Sequence, residues 1–257
     1  MTADPDAIDR ITPTRRPPGR AVMRQSWEHL LFLHWEIPAQ SLRALLPPGL
    51  ELDTFQGRAF VGLVPFTMSG VRPAGLPAVR GLSNFHETNV RTYVHAGGRD
   101  PGVWFFSLDA ANVVGAALGR AWFRLPYFFA RMALDASEIP GGTRLAYKSR
   151  RIYPGPRPAT SRIVATVRSP VAPAVPGSLE HFLAERYVLY SSTGTPLKLG
   201  RVNHTPYPLR VAEVESIEET LLAAAGIARP DAAPLAHYAR RVDVEVFPLG
   251  PAASPAR

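Results

Sequence analysis

The stretch Phe85-His86-Glu87-Thr88-Asn89-Val90-Arg91-Thr92-Tyr93-Val94 decides how this chain is read. It is rich in β-branched and aromatic residues and holds neither Gly nor Pro, the composition of a strand. Strand side chains alternate between faces. Phe85, Glu87, Asn89, Arg91 and Tyr93 therefore share one face, and His86, Thr88, Val90, Thr92 and Val94 the other. An acid, an amide and a base thus stand in one row between two aromatics, opposite a Thr/Val face suited to packing on protein. That row looks either into water, as a solvated Glu–Arg face, or into an enclosed pocket, and alternation alone does not choose.

The flanking sequence points to more strands. The Trp27 to Ile37 segment is extended, with apolar residues on both faces, as in a barrel wall. Pro38 opens a short helix that carries Leu42, Leu45 and Leu46 and stops at Pro47-Pro48-Gly49. Leu50–Phe55, a Gln56-Gly57 turn and Ala59–Met68 read as a hairpin. The Gly- and Pro-containing Ser69–Asn84 reads as a loop placed to line or cover a site. Val103–Leu108 is a strand, and Ala110–Phe123 has helical composition with Asp109 as its N-cap. Pro126–Leu134, Thr143–Ile152 and Ser161–Ser169 read as further strands. Ser178 caps a short helix, and Arg186–Ser191 and Leu197–His204 form a hairpin around Thr193-Gly194. After these come strand Leu209–Val214, helix Ile217–Ala225 ended by Gly226, and strand Tyr238–Phe247. The expectation is an α+β, β-dominated fold, a closed antiparallel β-barrel-like domain with a few short helices. It spans residues 21–248, after an arm (1–20) that is disordered until it docks and before a flexible tail (249–257).

Composition narrows the function classes. The chain has 257 residues, 46% of them hydrophobic, enough to bury a core. The absence of Cys excludes disulfides and thiolate metal sites. The formal net charge of +8 comes almost wholly from Arg, because Lys148 and Lys198 are the only lysines. The arginines form no dense run, so nucleic-acid binding is not expected. No apolar run approaches the roughly 20 residues that span a bilayer, and the N-terminus lacks the apolar core of a signal peptide. A cytoplasmic location follows as the default. No His pair has the spacing of a helical zinc motif, so no metal or other cofactor is expected. His181 and His204 read as hydrogen-bonded structural residues or as lining a site. Exposed sheet edges leave a homo-oligomer open.

Seven ordered segments carry a resemblance: "HLLFLHWEIPAQSLRALLPPGLELD" (29–53), "AFVGLVPFTMSGV" (59–71), "FHETNVRTYV" (85–94), "PGVWFFSLDA" (101–110), "LPYFFARM" (125–132), "GSLEHFLAERYVLY" (177–190) and "HTPYPLRVAEV" (204–214). Together they resemble the YqjF-like family of uncharacterised bacterial proteins, a distant relative of acetoacetate decarboxylase. The resemblance implies a barrel-like domain of the acetoacetate decarboxylase-like type with a buried small-molecule pocket. Acetoacetate decarboxylases use a Schiff-base lysine whose pKa is lowered by a neighbouring cation. At the most similar stretch here, Tyr127 and Phe128 occupy the places of the lysine pair, and neither forms an imine. Lys148 lies near Arg150 and Arg151 in sequence and reads as solvated.

The resemblance also places an acid at Glu87. The expected site has Glu87 and Tyr127 as catalytic residues and Asn89, Arg91, Phe85 and Tyr93 as substrate-binding residues. Same-face residues four apart on a strand stand roughly 13 Å apart, so a ligand, not a direct ion pair, would join Glu87 to Arg91. The expected ligand is an oxo- or carboxylic-acid compound. The alternative is a non-catalytic ligand-binding or sensing module, and whether the protein is an enzyme stays open.

Overall fold

The computed structural model describes residues 8–154, 158–171, 173–192 and 197–252. Its strands, in chain order, are β1 (Met23–Ile37), β2 (Glu51–Leu52), β3 (Ala59–Pro73), β4 (Phe85–Ala96), β5 (Arg99–Ala110), β6 (Tyr127–Ile139) and β7 (Gly142–Tyr153). They continue with β8 (Thr160–Pro170), β9 (Val188–Ser191), β10 (Lys198–Asn203), β11 (Leu209–Glu219), β12 (Leu235–Val246) and β13 (Gly250–Pro251). Four short helices punctuate them: α1 (Ala39–Arg43), α2 (Val113–Trp122), α3 (Leu179–Ala184) and α4 (Leu221–Ala224).

All thirteen strands belong to one sheet. Its pairings return on themselves: β4 pairs β5, β5 pairs β9, β9 pairs β10, β10 pairs β12, and β12 leads through β1 and β3 back to β4. A second circuit leaves β5 through β6, β7, β8 and β11 and rejoins at β12. The fold is thus β-dominated and ring-like. It is not antiparallel throughout, because β5 runs parallel to β6 and to β9. The α2 crossover between β5 and β6 is the connection that a parallel pair requires.

The shared strands β1, β3 and β4 separate two apolar cores. One holds Leu31, Leu33, Val61, Leu63, Val90, Leu145, Ile163 and Tyr238. The other holds Leu30, Phe32, Val64, Phe66, Tyr207, Val242 and Val244. Both faces of these strands are covered, which is why β1 reads as apolar on both sides. The strict alternation expected along β1 is broken at His29, where φ is 51° and the register with β3 shifts. That bulge moves Trp27 onto the face of Leu30 and Phe32, with the second core, and off the face of Leu31.

Other boundaries moved for similar reasons. β3 continues through Pro73 into the expected loop. The N-cap of α2 is Asn112, whose side chain accepts from the Gly115 N–H at 2.9 Å, and Asp109 instead lies in β5. The expected helix from Ile217 begins later, as α4 at Leu221, because Ile217, Glu218 and Glu219 pair with Ile163, Arg162 and Ser161 as strand. The Thr193-Gly194 turn lies outside the described residues. The N-terminal arm is anchored to the body at points along its length: Ile8 and Pro13 are buried and Arg10 pairs with Asp53.

Candidate functional site

The β4 row looks inward. Glu87, Asn89 and Arg91 are only 2%, 5% and 8% exposed, Tyr93 is fully buried, and Phe85 is half-buried. On β3 they face Phe66, Val64 and Gly62 in register, and Phe32 and His34 of β1 lie beyond. Gly62 leaves the room this requires: a Cβ there would stand 3.1 Å from the His34 ring and 3.4 Å from Arg91 Cγ.

Glu87 receives a hydrogen bond from the Tyr127 hydroxyl, O–H to Oε2 at 3.0 Å. Tyr127 opens β6, and parallel pairing with Leu108 turns it to this face. Its ring packs on α2 at Gly119, where a Cβ would come within 2.5 Å. Burial pushes the Glu87 carboxyl up to about 8; the Tyr127 hydroxyl offsets part of the rise and the Asp109 carboxylate adds to it. Burial and the Glu87 carboxylate in turn hold the Tyr127 phenol well above its ordinary value. Phe128, the neighbour of Tyr127, points the other way: the Arg151 guanidinium lies 3.7 Å over its ring.

Among the described residues three arginines are buried, and their partners differ. Arg151 makes a 2.7 Å ion pair with Asp109, and Arg186 a 2.8 Å pair with Asp53. Arg91 has no carboxylate in ion-pair range among the described residues, Glu87 included. Its Nη2 donates to the Leu183 carbonyl at 3.1 Å, and its guanidinium lies 5.6 Å from the Phe32 ring and 5.8 Å from that of Tyr93. The Nε–H is buried without a partner. Leu183 sits in the last turn of α3, where helix carbonyls lack intrahelical donors. The same carbonyl accepts from Tyr93 O–H at 2.7 Å, and the Tyr93 oxygen is 2.6 Å from His34 Nε2.

The sequence reading missed His34, Gly62 and Trp27 and left His204 unassigned. His204 stacks on Tyr187 at 4.3 Å between ring centroids and lies 4.5 Å from Tyr207 and 5.7 Å from Trp27. Glu185 fixes both tyrosines, accepting from Tyr187 O–H at 2.5 Å and from the Tyr207 backbone N–H at 2.9 Å. No local pattern marks these residues, because β1, β10 and the segment after it meet only through long-range pairing. His181 is buried in α3, where its backbone N–H bonds the Ser178 cap. Lys148 is exposed on β7, and Lys198 begins β10; among the described residues, neither bonds to Glu87, Asn89, Arg91 or Tyr127. Among the described residues, no group of three His, Asp or Glu is placed to hold a metal ion. No helix of the described residues is long and apolar enough to cross a membrane.

Residues 24–243 match the family described as DUF2071, uncharacterized conserved protein. The chain is 38% identical over 235 residues to the uncharacterized protein YqjF of Bacillus subtilis (strain 168), covering 91% of this chain and 93% of the relative. Among solved structures it is similar to the enduracididine biosynthesis enzyme MppR complexed with pyruvate, with TM-score 0.61, 14% identity and 95% of each chain covered. An acetoacetate decarboxylase-like enzyme from Sphingomonas wittichii RW1 matches with TM-score 0.61 at 15% identity, over 92% of this chain and 95% of that one. Acetoacetate decarboxylase from Legionella pneumophila subsp. pneumophila str. Philadelphia 1 matches with TM-score 0.57 at 16% identity, over 94% and 92%. At these identities the likeness is one of fold.

Proposed function

The chain belongs to the DUF2071 family of uncharacterised conserved proteins, and we propose that it binds a small oxo- or carboxylic-acid compound inside the sheet ring, at the β4 row. One observation carries the reading: among the described residues, Arg91 is a buried guanidinium with no acid beside it, whereas the other two buried arginines each have one. A buried cation left without a counter-ion is costly, and an anionic ligand supplies that counter-ion. The fold relative MppR, solved in complex with pyruvate, agrees with this class of ligand.

The roles follow from the chemistry of the groups. Arg91 takes the carboxylate, Asn89 orients it, and Phe85 and Tyr93 wall the space. Glu87, with a pKa of about 8, is mostly protonated at neutral pH. Because Tyr127 donates to Oε2, Oε1 is left to carry the proton toward a ligand carbonyl. A carboxyl poised this close to the working pH suits general acid or base work. Imine chemistry is not part of the proposal, since the resemblance puts Tyr127 in the place of the decarboxylases' lysine. The placement of both lysines favours a second reading, a sensing module that binds without turnover.

Titration calorimetry with pyruvate, acetoacetate and longer oxo acids, beside a turnover assay, tests the proposal. Binding that Arg91→Met abolishes is the expected result. Unaltered binding in that variant, or borohydride trapping of a covalent adduct on Lys148, overturns it.

A further inference from the structure

Resting on the site just proposed, we infer that its ligand carries hydroxyl groups along with the acid group: a polyhydroxylated carboxylic acid rather than a plain oxo acid. The interior offers more hydrogen-bond acceptors than its own donors satisfy. His204 Nδ1 lies 2.7 Å from the Thr205 carbonyl, which only accepts, so the ring proton is on Nδ1. Burial pushes this imidazole down to about 4, so it is neutral and Nε2 is a bare lone pair. Tyr93 spends its proton on the Leu183 carbonyl and accepts from His34 Nε2–H, which leaves Nδ1 of His34 bare as well. Burial holds this second imidazole neutral too. Both bare nitrogens, and the Asn89 amide oxygen, are buried without a partner. His34, Asn89 and His204 are all more than nine-tenths buried.

Three acceptors thus wait in one interior. A simple oxo-acid anion carries no O–H or N–H and can donate to none of the three. Ammonium donors are disfavoured, because Arg91 already places an uncompensated positive charge beside both histidines. Neutral hydroxyls fit. The interior also holds buried donors without partners, Trp27 Nε1–H and Arg91 Nε–H. A hydroxyl both donates and accepts, and with the two rings 5.7 Å apart a single one can bridge Trp27 Nε1–H and His204 Nε2. The rings of Trp27, Phe32 and Tyr207 supply apolar faces for the C–H side of such a ligand. A site built around hydrogen bonds to substrate hydroxyls rejects the analogue lacking them, because its buried polar groups are then left unpaired.

The test is titration calorimetry of the full chain with three hexonates (gluconate, galactonate and mannonate), hexanoate and 2-oxohexanoate. At least one hexonate is expected to bind about 10- to 100-fold tighter than hexanoate. His204→Phe keeps the stacked ring and loses the acceptor together with the bond to the Thr205 carbonyl; it is expected to erase most of that preference by lowering hexonate affinity far more than hexanoate affinity. Trp27→Phe serves as the second variant if His204→Phe fails to fold, as judged by its thermal melt. Hexanoate or 2-oxohexanoate binding as tightly as every hexonate overturns this inference and leaves the carboxylate site standing. Binding of pyruvate or acetoacetate with none of the five acids bound overturns this inference alone, and no binding of any of the seven overturns both.

Discussion

Replacing Glu87 by Gln should make the protein's stability much less sensitive to pH, and the structure sets the size of the effect. Glu87 is 2% exposed and its carboxyl is raised from an ordinary 4.5 to about 8. The folded chain therefore holds this proton more tightly than the unfolded chain. The stabilisation is fully present below pH 4.5 and is lost as pH rises to about 8. At about 1.4 kcal/mol per pH unit across that gap, the wild type loses about 3 kcal/mol by pH 7 and about 5 kcal/mol above pH 8. Glutamine keeps an oxygen for the Tyr127 hydroxyl and cannot ionise, so Glu87→Gln escapes that loss. Urea unfolding of both proteins from pH 5 to 9 reads the difference directly. The variant's advantage should grow by about 4 kcal/mol between pH 5 and 8 and then level off. The other raised carboxyls, Asp109 and Glu185, occur in both proteins and largely cancel. Parallel stability curves across this range would refute the reasoning, because Glu87 would then be as hydrated folded as unfolded.

The buried arginines should respond with opposite signs. Arg91→Met removes a charge with no counter-ion, so stability should stay level or rise by up to about 2 kcal/mol while anion binding is lost. Arg151→Met strands Asp109 in the interior and should cost about 3–5 kcal/mol, read as a lowered thermal midpoint. Equal losses in the two variants would contradict the assignment of Arg91 as a ligand anchor. Gly62→Ala forces a methyl within 3.1 Å of the His34 ring and should cost about 1–3 kcal/mol in urea unfolding, with weaker ligand binding.

The period of two in residues 85–94 was enough to place Glu87, Asn89, Arg91 and Tyr93 on one face, since strand alternation is a property of the local backbone. It was also enough to show that Glu87 and Arg91 do not meet. The β-dominated class and most strand positions were legible for the same reason. That both sides of β4 are covered, the polar row included, was not, because that depends on β5 pairing with β9 and β10 with β12, contacts between residues about 40 to 90 apart in sequence. The flip of Trp27 by the bulge at His29, and the gathering of His34 and His204 beside the β4 row, come from the same long-range closure. The charge of Arg91 is written in the sequence, but its lack of a counter-ion emerges only once Asp53 and Asp109 have been drawn to Arg186 and Arg151. Alternation acts over neighbouring residues, whereas enclosure and charge pairing act through space.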